Sequence, residues 1–381
     1  MGFERENKML IKNIDDQHIV WFKNSNSYLI LETAVVEIIK KINTGHTISK
    51  IESWCRKKLD LPKTSIKTFV SEVAHLINNQ NQAIKETAPL NQIAALAPKD
   101  YHDTKYYSIH NLCFLVQYET AYHASLIHPK FAHLECQKQC IHTYHYQIFQ
   151  EENTIFLHVN KQLIGDWNLK NIHFFQGKFS MQIIQHIYQK KEDEWLGVFH
   201  ASAISNGKNS LLLLGDSGKG KSTALALLQE NGFLSLADDF VPIDAINKEA
   251  HIFPAAIAIK KNSFKILNPL YPKLKTAIEY RYKISNKTVR YLPTNTVNYT
   301  ASFPCKALIF INYQKGVVIE LNSISKITAF EQLVPDSWIS PITTNVNQFL
   351  NWFLALPCYQ LYYSDTNKMI ETVSKIFNDE L

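Results

Sequence analysis

Hydrophobic and polar positions alternate with two different periods along the front of the chain. The short apolar runs "MLIKN", "HIVWFK" and "SYLIL" predict three strands, and apolar positions three and four residues apart then predict three helices. Ser49 and Glu52 fit the capping box S-x-x-E and are expected to begin the second helix. Five apolar residues mark the buried face of the first helix: Val35, Val36, Ile38, Ile39 and Ile42. We therefore expect a small α+β, winged-helix-like domain over residues 1–80.

A polar stretch, taken as residues 81–95, predicts a linker, and strand and helix patterns then alternate from 96 to 381. The segment "YQIFQEENTIFLHVNKQLIGDW" predicts hairpin strands, and "FSMQIIQHIYQKK" predicts a helix. Later strands are expected in "ALIFINYQKGVVIEL", and later helices in "VNQFLNWFLAL" and "NKMIETVSKIFN". We expect one mixed α/β domain over 96–381, in which residues 101–195 supply the sheet that precedes the glycine-rich loop at residues 215–220.

The middle of that domain carries "SLLLLGDSGKGKSTALALL", in which residues 215–222 fit G-x-x-x-x-G-K-[ST] without a mismatch. An apolar strand precedes the motif and a helix follows it, which is the context that a phosphate-binding loop needs. Glycines let backbone N–H groups converge on phosphate oxygens, and the helix N-terminus adds a favourable dipole. Lys221 is expected to reach the β- and γ-phosphates, and Ser222 to hold Mg²⁺. The predicted nucleotide-binding residues are Gly215, Asp216, Ser217, Gly218, Lys219, Gly220, Lys221, Ser222 and Thr223.

A strand with a histidine precedes this loop. Asn206-Gly207 predicts a two-residue hairpin turn, which would set His200 opposite Leu213 and beside the loop. An imidazole there can titrate near neutral pH or orient a carboxylate. The alternative is a structural histidine in the sheet.

Two acids follow the loop helix. Asp238 and Asp239 end the short apolar run "LSLA", where ligands bind at the carboxyl ends of such strands. One can act as base toward a hydroxyl and the other can help to hold the metal. Only a short helix and a turn fit between Lys221 and Asp238. That spacing favours small kinases over transport ATPases.

The residues "HASA", "GDSGKGKST" and "LADDF" together resemble the HPr kinase/phosphorylase family, whose core is related to ATP-dependent phosphoenolpyruvate carboxykinase. The resemblance implies a P-loop kinase core with a mixed sheet, ATP and Mg²⁺ as cofactors, and an active-site His200. It also implies that Lys221 binds phosphate, that Ser222 binds Mg²⁺ and that Asp238 is the base. A homo-oligomer is compatible with it, since the family assembles as hexamers. Asp239 as a second metal residue or histidine partner is our inference from its position.

The chain departs from that family in two places. Thr223 stands where the family has glutamate, and "HIFPAAIAIKK" lacks the glutamate and arginine of a downstream signature. These differences argue against HPr itself as the acceptor. Lys287 and Arg290 are the remaining candidates for a γ-phosphate clamp, with surface charges as the alternative.

The front segment "SYLILETAVVEIIKKINTGHTISKI" resembles the PqqD family of peptide-recognition domains. That resemblance implies binding of a ribosomal peptide precursor as an added strand. A purely structural domain and a DNA-binding domain are the alternatives. The net charge of +6 is modest and the basic residues are mixed with acids, so nucleic acid is not expected as a partner.

The composition of the chain also bears on the cellular compartment that we expect for the protein. The chain is 46% hydrophobic and 19% charged, with neither a secretory signal pattern nor an apolar run of membrane-spanning length. Its six cysteines are scattered, which is typical of a reducing compartment. We expect a cytoplasmic protein without a membrane partner. One cluster could supply a zinc site but matches no standard spacing, so it is left out of the predicted sites: His133, Cys136, Cys140, His142 and His145.

These expectations combine into one function: an ATP- and Mg²⁺-dependent kinase that phosphorylates a serine or threonine of a peptide or protein, such as a ribosomal peptide precursor. Three alternatives remain open. One is a kinase for a hydroxy amino acid or a sugar, and another is a phosphate-loop ATPase that only switches conformation. The third is a non-catalytic ATP-binding adaptor for a peptide or DNA.

Overall fold

The computed structural model describes residues 9–60, 62–82, 100–137, 143–282 and 287–380. Within them the chain is mixed α/β, with several sheets and eleven α-helices. The described part of the chain contains no helix that is long and apolar enough to cross a membrane. The chain forms two compact units, which are described separately below.

The first unit begins with three strands and three helices. Their bounds are β1 Met9–Ile14, β2 Gln17–Phe22, β3 Ser27–Leu31, α1 Thr33–Asn43, α2 Ile48–Lys58 and α3 Lys63–Gln82. The strands form an antiparallel sheet in the order β1-β2-β3. Apolar residues of the three helices pack together around the fully buried Ile38, Ile51 and Val70. The periodicity in the sequence thus predicted these elements.

Two details of this unit differ from the prediction. The residue that precedes α2 is Thr47, so Ser49 and Glu52 lie inside the helix and the predicted capping box is wrong. Glu52 instead lies 3.5 Å from Arg56, one turn further along. Helix α3 continues to Gln82, so the first two residues of the predicted linker 81–95 are helical, and the rest of it lies outside the described residues.

The first unit also takes in residues 325–330 and 341–354, from the part of the chain that the predicted boundaries assigned to the second domain. They belong to α9 Lys326–Leu333 and α10 Thr343–Ala355. The Tyr28 ring of β3 lies edge-on to Phe330 and Phe349, with centroids 5.8 and 5.9 Å apart. Aromatic packing therefore joins these late segments to the sheet of this unit.

The second unit opens with a five-stranded sheet in the order β4-β5-β6-β7-β8. Its elements are β4 Asp103–Ile109, β5 Leu112–Tyr118, α4 Ala121–Phe131, β6 Tyr144–Glu151, β7 Thr154–Val159, β8 Gln162–Asn168 and α5 Ile172–Tyr188. These strands pair only with one another among the described strands. They therefore form a sheet of their own that precedes the glycine-rich loop in the chain, as expected from the sequence.

A larger sheet of ten strands follows. Its main path runs β12-β10-β11-β18-β14-β13-β9-β20, and β21 pairs with β18 and β19. The bounds are β9 Trp195–Phe199, β10 Ser202–Ser205, β11 Ser210–Leu214, β12 Leu234–Asp238, β13 Val241–Asp244, β14 Glu249–His251, β18 Ser302–Tyr313, β19 Ile319–Ser323, β20 Trp338–Ile339 and β21 Cys358–Tyr363. Strands β11, β18 and β21 run parallel, whereas β10 lies antiparallel between β11 and β12.

Helices and a small sheet cover one face of those parallel strands. They are α6 Lys221–Glu230, β15 Ile257–Lys260, α7 Phe264–Leu267, α8 Pro272–Lys275, β16 Tyr280–Tyr282, β17 Lys287–Leu292 and α11 Thr366–Asn378. Apolar residues of α6, including Leu225 and Leu228, pack with Ile309 of β18 and Val373 of α11. This core fixes the start of α6 against the ends of the parallel strands.

The cysteines are not all reduced thiols. Cys113 is disulfide-bonded, so the expectation of six reduced cysteines is wrong at this position.

Candidate functional site

The hairpin before the glycine-rich loop has a different register from the predicted one. Ser202 lies opposite Leu213 and Ser205 opposite Ser210, so four residues rather than two connect the strands. The Asn206 side-chain oxygen accepts from the backbone N–H groups of residues 208 and 209, at 3.0 and 2.9 Å. Only Gly207 of the expected turn pair has a positive φ. The predicted pairing of His200 with Leu213 is therefore wrong, because this side-chain cap replaces the two-residue turn.

The glycine-rich loop, residues 215–220, has backbone angles that favour glycine. Gly215, Gly218 and Gly220 have φ of 127°, 96° and 105°. A Cβ on Gly215 would lie 2.7 Å from the backbone oxygen of Ile311 in β18. The positive φ favours glycine at all three positions, and Gly215 is also needed for close approach to the neighbouring strand. Helix α6 begins directly after the loop at Lys221.

The Lys221 side chain is folded back onto this loop. Its Nζ donates to the Gly215 carbonyl oxygen and lies 3.5 Å from the Asp216 carbonyl oxygen. Burial lowers the pKa of Lys221, and the carboxylates of Asp239, Asp238 and Asp216 act in the opposite direction. The ammonium group is therefore held among backbone carbonyls and near acids, where an anionic ligand would be a stronger partner than a neutral carbonyl.

Two chain connections lie side by side next to the loop. The chain passes from β9 to β10 through His200 and Ala201, and from β12 to β13 through Asp239 and Phe240. Because β9 pairs with β13 and β10 pairs with β12, the two connections are neighbours. This pairing brings a histidine and two acids together although they are far apart in sequence.

Asp238 is the buried member of this group. Its Oδ1 accepts from Ser202 Oγ at 2.6 Å and from Ser222 Oγ at 3.1 Å, and its Oδ2 accepts from the Ala258 N–H at 3.0 Å. Burial raises the pKa of Asp238, with a further contribution from Asp239. Both carboxylate oxygens are therefore occupied, and the side chain positions Ser222 at the start of α6.

Asp239 is the exposed member. Its side chain is 56% exposed and its Oδ1 lies 3.0 Å from His200 Nδ1. The backbone φ of Asp239 is +69°, which turns the chain away from β12 and separates the two neighbouring carboxylates. A residue other than glycine in this region is uncommon, and such positions occur often at functional sites. Asp239 therefore offers an accessible carboxylate that an imidazole orients.

Lys260, at the end of β15, is a residue that sequence reasoning missed. Its Nζ donates to Ser217 Oγ in the glycine-rich loop at 2.8 Å. Burial lowers the pKa of Lys260 most, and the charges of Lys287 and Lys221 lower it further. Lys221 and Lys260 thus both direct an ammonium group at the loop. No local motif marks Lys260, and only the pairing of β15 with β17 brings it close to Lys287.

Arg290, the other candidate for a phosphate clamp, is engaged by neighbours in its own small sheet. Its guanidinium bonds Glu279 at 2.8 Å and the Leu274 carbonyl oxygen at 3.0 Å, and it lies over the Phe264 ring. The side chain thus supports the small sheet and α8, and its role as a phosphate clamp stays a prediction.

The other residues predicted to bind the nucleotide make contacts within the loop or with neighbouring segments. Thr223 Oγ1 bonds Ser263 Oγ at 2.5 Å, which directs this hydroxyl toward the segment after β15. The Asp216 carbonyl oxygen accepts from the Lys219 N–H at 3.2 Å within the loop, and the Lys219 carbonyl oxygen accepts from the Tyr313 N–H at 2.9 Å. The loop is therefore braced by β18 on one side.

Among the described residues, no group of three or more His, Cys, Asp or Glu side chains is placed to hold a metal ion. Two members of the His/Cys cluster, Cys140 and His142, lie outside the described residues. His145 Nε2 bonds Gln117 Oε1 at 2.6 Å. Near the loop, the oxygen groups of Ser222 and Asp239 suit Mg²⁺, which typically takes one or two protein ligands and completes its shell with phosphates and water.

Comparison with known proteins adds no family to this geometry: no family model matches the chain, and no curated protein matches it.

Proposed function

We propose that the protein is an ATP-dependent kinase that transfers the terminal phosphoryl group to a serine or threonine hydroxyl of a peptide or protein. The observation that carries the proposal is the Asp239–His200 pair, 3.0 Å apart, at the same strand end as the buried Asp238 that bonds Ser222. A phosphate-type loop, an orienting acid and an accessible acid–imidazole pair are the parts that phosphoryl transfer to a hydroxyl needs.

The loop and the lysines would bind the donor. Backbone N–H groups of the glycine-rich loop and the N-terminus of α6 favour phosphate oxygens. Lys221 would exchange its bond to the Gly215 carbonyl for one to phosphate, and Lys260 would contribute a second positive charge from β15. Ser222 would hold Mg²⁺ together with phosphate oxygens and water, and the bound ion would neutralise charge on the phosphates. Asp239, which the sequence offered as a second metal ligand, is assigned below to proton transfer instead.

Asp238 and Asp239 would have different roles from those expected from the sequence. We assign the base to Asp239 rather than Asp238, because Asp239 is more than half exposed whereas Asp238 accepts three hydrogen bonds in a buried position. Asp239 would accept the proton of the attacking hydroxyl as the hydroxyl oxygen bonds to phosphorus and the nucleoside diphosphate leaves. His200 would orient Asp239 and share the proton.

The first unit would bind the peptide acceptor. Strands β1 and β3 each pair only with β2 among the described strands, so both are outer strands of their sheet. Tyr28 of β3 packs against Phe330 and Phe349. A cavity of about 530 Å³ lies along β1, and Lys12 and Lys40 are among the residues that line it. We place the peptide along β1, where an extended segment can add to the sheet.

Transfer of phosphate from labelled ATP with Mg²⁺ to serine- and threonine-containing peptides tests the proposal. Asp239→Asn and Lys221→Met are each expected to lower the rate by about 10²- to 10⁴-fold, because they remove the base and a phosphate contact. Matched controls are Asp166→Asn in β8 and Lys208→Met at the hairpin tip, which should leave the rate within about twofold.

The products separate the alternatives. Phosphate on small alcohols or free amino acids, but on no peptide, would replace the peptide kinase by a small-molecule kinase. ATP binding without transfer to any acceptor would favour the adaptor. For the peptide site, Lys12→Glu should weaken peptide binding and Lys50→Glu, on the exposed face of α2, should not.

A further inference from the structure

The carboxyl ends of three parallel strands lie together beside the glycine-rich loop. Leu214 at the end of β11 pairs with Phe310, so β18 continues three residues further, to Tyr313. Tyr313 in turn pairs with Tyr363 at the end of β21. Ligands of such sheets bind in the crevice outside the carboxyl ends of the strands. Tyr313 is therefore placed at the rim of the crevice that the loop lines.

Tyr313 contacts the loop through its backbone and its Cβ. Its N–H donates to the Lys219 carbonyl oxygen at 2.9 Å. A Cβ on Gly220 would lie 3.3 Å from the Tyr313 Cβ and 3.3 Å from the Tyr363 hydroxyl. An aromatic side chain thus begins within van der Waals distance of the loop that would hold the phosphates.

The ring itself is exposed but held. Tyr313 is 52% exposed. Its ring lies perpendicular to the buried Tyr363, with centroids 5.6 Å apart and an interplanar angle of 82°. The packing fixes one side of the ring and leaves aromatic surface open to a ligand.

The order of the strands indicates how a bound nucleotide would be oriented along the sheet edge. Asp238 and Asp239 follow β12, which lies on one side of β11, and β18 lies on the other side. If the terminal phosphate faces the acids, the opposite end of a nucleoside triphosphate extends toward β18. That end carries the base, a flat π-system that stacks on aromatic side chains.

We propose that Tyr313 is the stacking surface for the nucleobase of the phosphate donor. The assignment rests on the proposed kinase function, and it adds that the donor is a nucleoside triphosphate whose base contributes to affinity, rather than a phosphate chain alone. Stacking tolerates different bases, so ATP and GTP should both bind.

Calorimetric titration of the full chain with MgATP and with magnesium tripolyphosphate tests this proposal. Tyr313→Ala should weaken MgATP binding roughly 5- to 100-fold and leave tripolyphosphate binding within twofold, because only ATP has a base to stack. Tyr313→Phe should bind both ligands like the wild type. The control is Val297→Ala, a 90% exposed apolar residue next to the contact between Thr296 and Ser235 at the start of β12.

Three results would overturn the assignment. Unchanged MgATP affinity in Tyr313→Ala would exclude stacking, and equal weakening of both ligands would show that the residue only braces the loop. If the wild type bound tripolyphosphate as tightly as ATP, the nucleobase would contribute nothing to affinity. The proposed phosphate site would not be affected by that result. Binding of neither ligand by the wild type would instead refute the proposed function on which the assignment rests.

Discussion

Removing the Asp238 carboxylate should destabilise the second unit far more than removing its neighbour. Asp238 accepts from two serine hydroxyls and one backbone N–H, whereas Asp239 makes one exposed ion pair with His200. In Asp238→Ala, the fully buried Ser202 hydroxyl and the Ala258 N–H lose their acceptor. Ser222 is only partly buried and can turn to water.

The expected magnitudes follow from those partners. The buried Ser202 hydroxyl left without an acceptor costs about 1–3 kcal/mol and the partly buried Ala258 N–H adds less, so Asp238→Ala should lose about 1–4 kcal/mol of unfolding free energy. In Asp238→Asn the amide can keep all three contacts if its oxygen faces the Ala258 N–H and its NH₂ donates to the serine hydroxyls. The neutral hydrogen bonds are weaker, which lowers stability, whereas removal of a buried charge raises it. The two effects offset one another, so the unfolding free energy should change by less than about 1.5 kcal/mol. Asp239→Asn should change stability by less than about 1 kcal/mol, as exposed ion pairs do.

Urea unfolding followed by circular dichroism measures these differences as shifts of the midpoint at constant slope. The pH dependence supplies a second check, because burial raises the pKa of Asp238 above its usual 3.8. A raised folded-state pKa means that the wild type gains stability relative to Asp238→Asn as pH falls through that pKa toward 3.8. If Asp238→Ala were no less stable than Asp239→Asn, the buried acid would not be the acceptor of these bonds and the division of roles would be wrong.

Three further outcomes are expected. Gly215→Ala should abolish nucleotide binding in a calorimetric titration, since its Cβ would lie 2.7 Å from a backbone oxygen of β18 and its φ is +127°. Lys260→Met should weaken MgATP binding by about 10-fold, because a charge beside the loop is lost, and Lys260→Arg should restore most of it. Thermal stability should fall as pH drops from 6.5 toward 4, because burial lowers the pKa of His186 to about 4 and of His251 to about 3. Each neutral imidazole contributes stability above pH 6.5 that is lost on acidification, at up to about 1.4 kcal/mol per pH unit, and His186→Gln should flatten the curve.

The sequence predicted what depends on local signals. The apolar strand, the three glycines and the helix that follows are adjacent in the chain, and the backbone angles of Gly215, Gly218 and Gly220 agree with a loop that needs them. The period of the apolar residues also predicted α1, α3 and α11, whose buried faces are continuous. Such patterns report the burial of one face and need no knowledge of distant partners.

The sequence could not predict what depends on tertiary partners. The hairpin register failed because the Asn206 side chain caps a four-residue connection, an interaction that competes with the two-residue turn. The different environments of Asp238 and Asp239 come from Ser202 and the Ala258 backbone, on other strands. Lys260 reaches the loop only because β15 packs beside α6, and Arg290 is engaged by Glu279 for the same kind of reason.

A crystal structure with Mg²⁺ and a non-hydrolysable ATP analogue would show whether the glycine-rich loop and Asp239 belong to one phosphoryl-transfer site. We expect the triphosphate on the glycine-rich loop, Lys221 Nζ moved from the Gly215 carbonyl to a phosphate oxygen, and the terminal phosphate facing Asp239. A nucleotide bound elsewhere, or a terminal phosphate that points away from Asp239 and His200, would contradict this expectation.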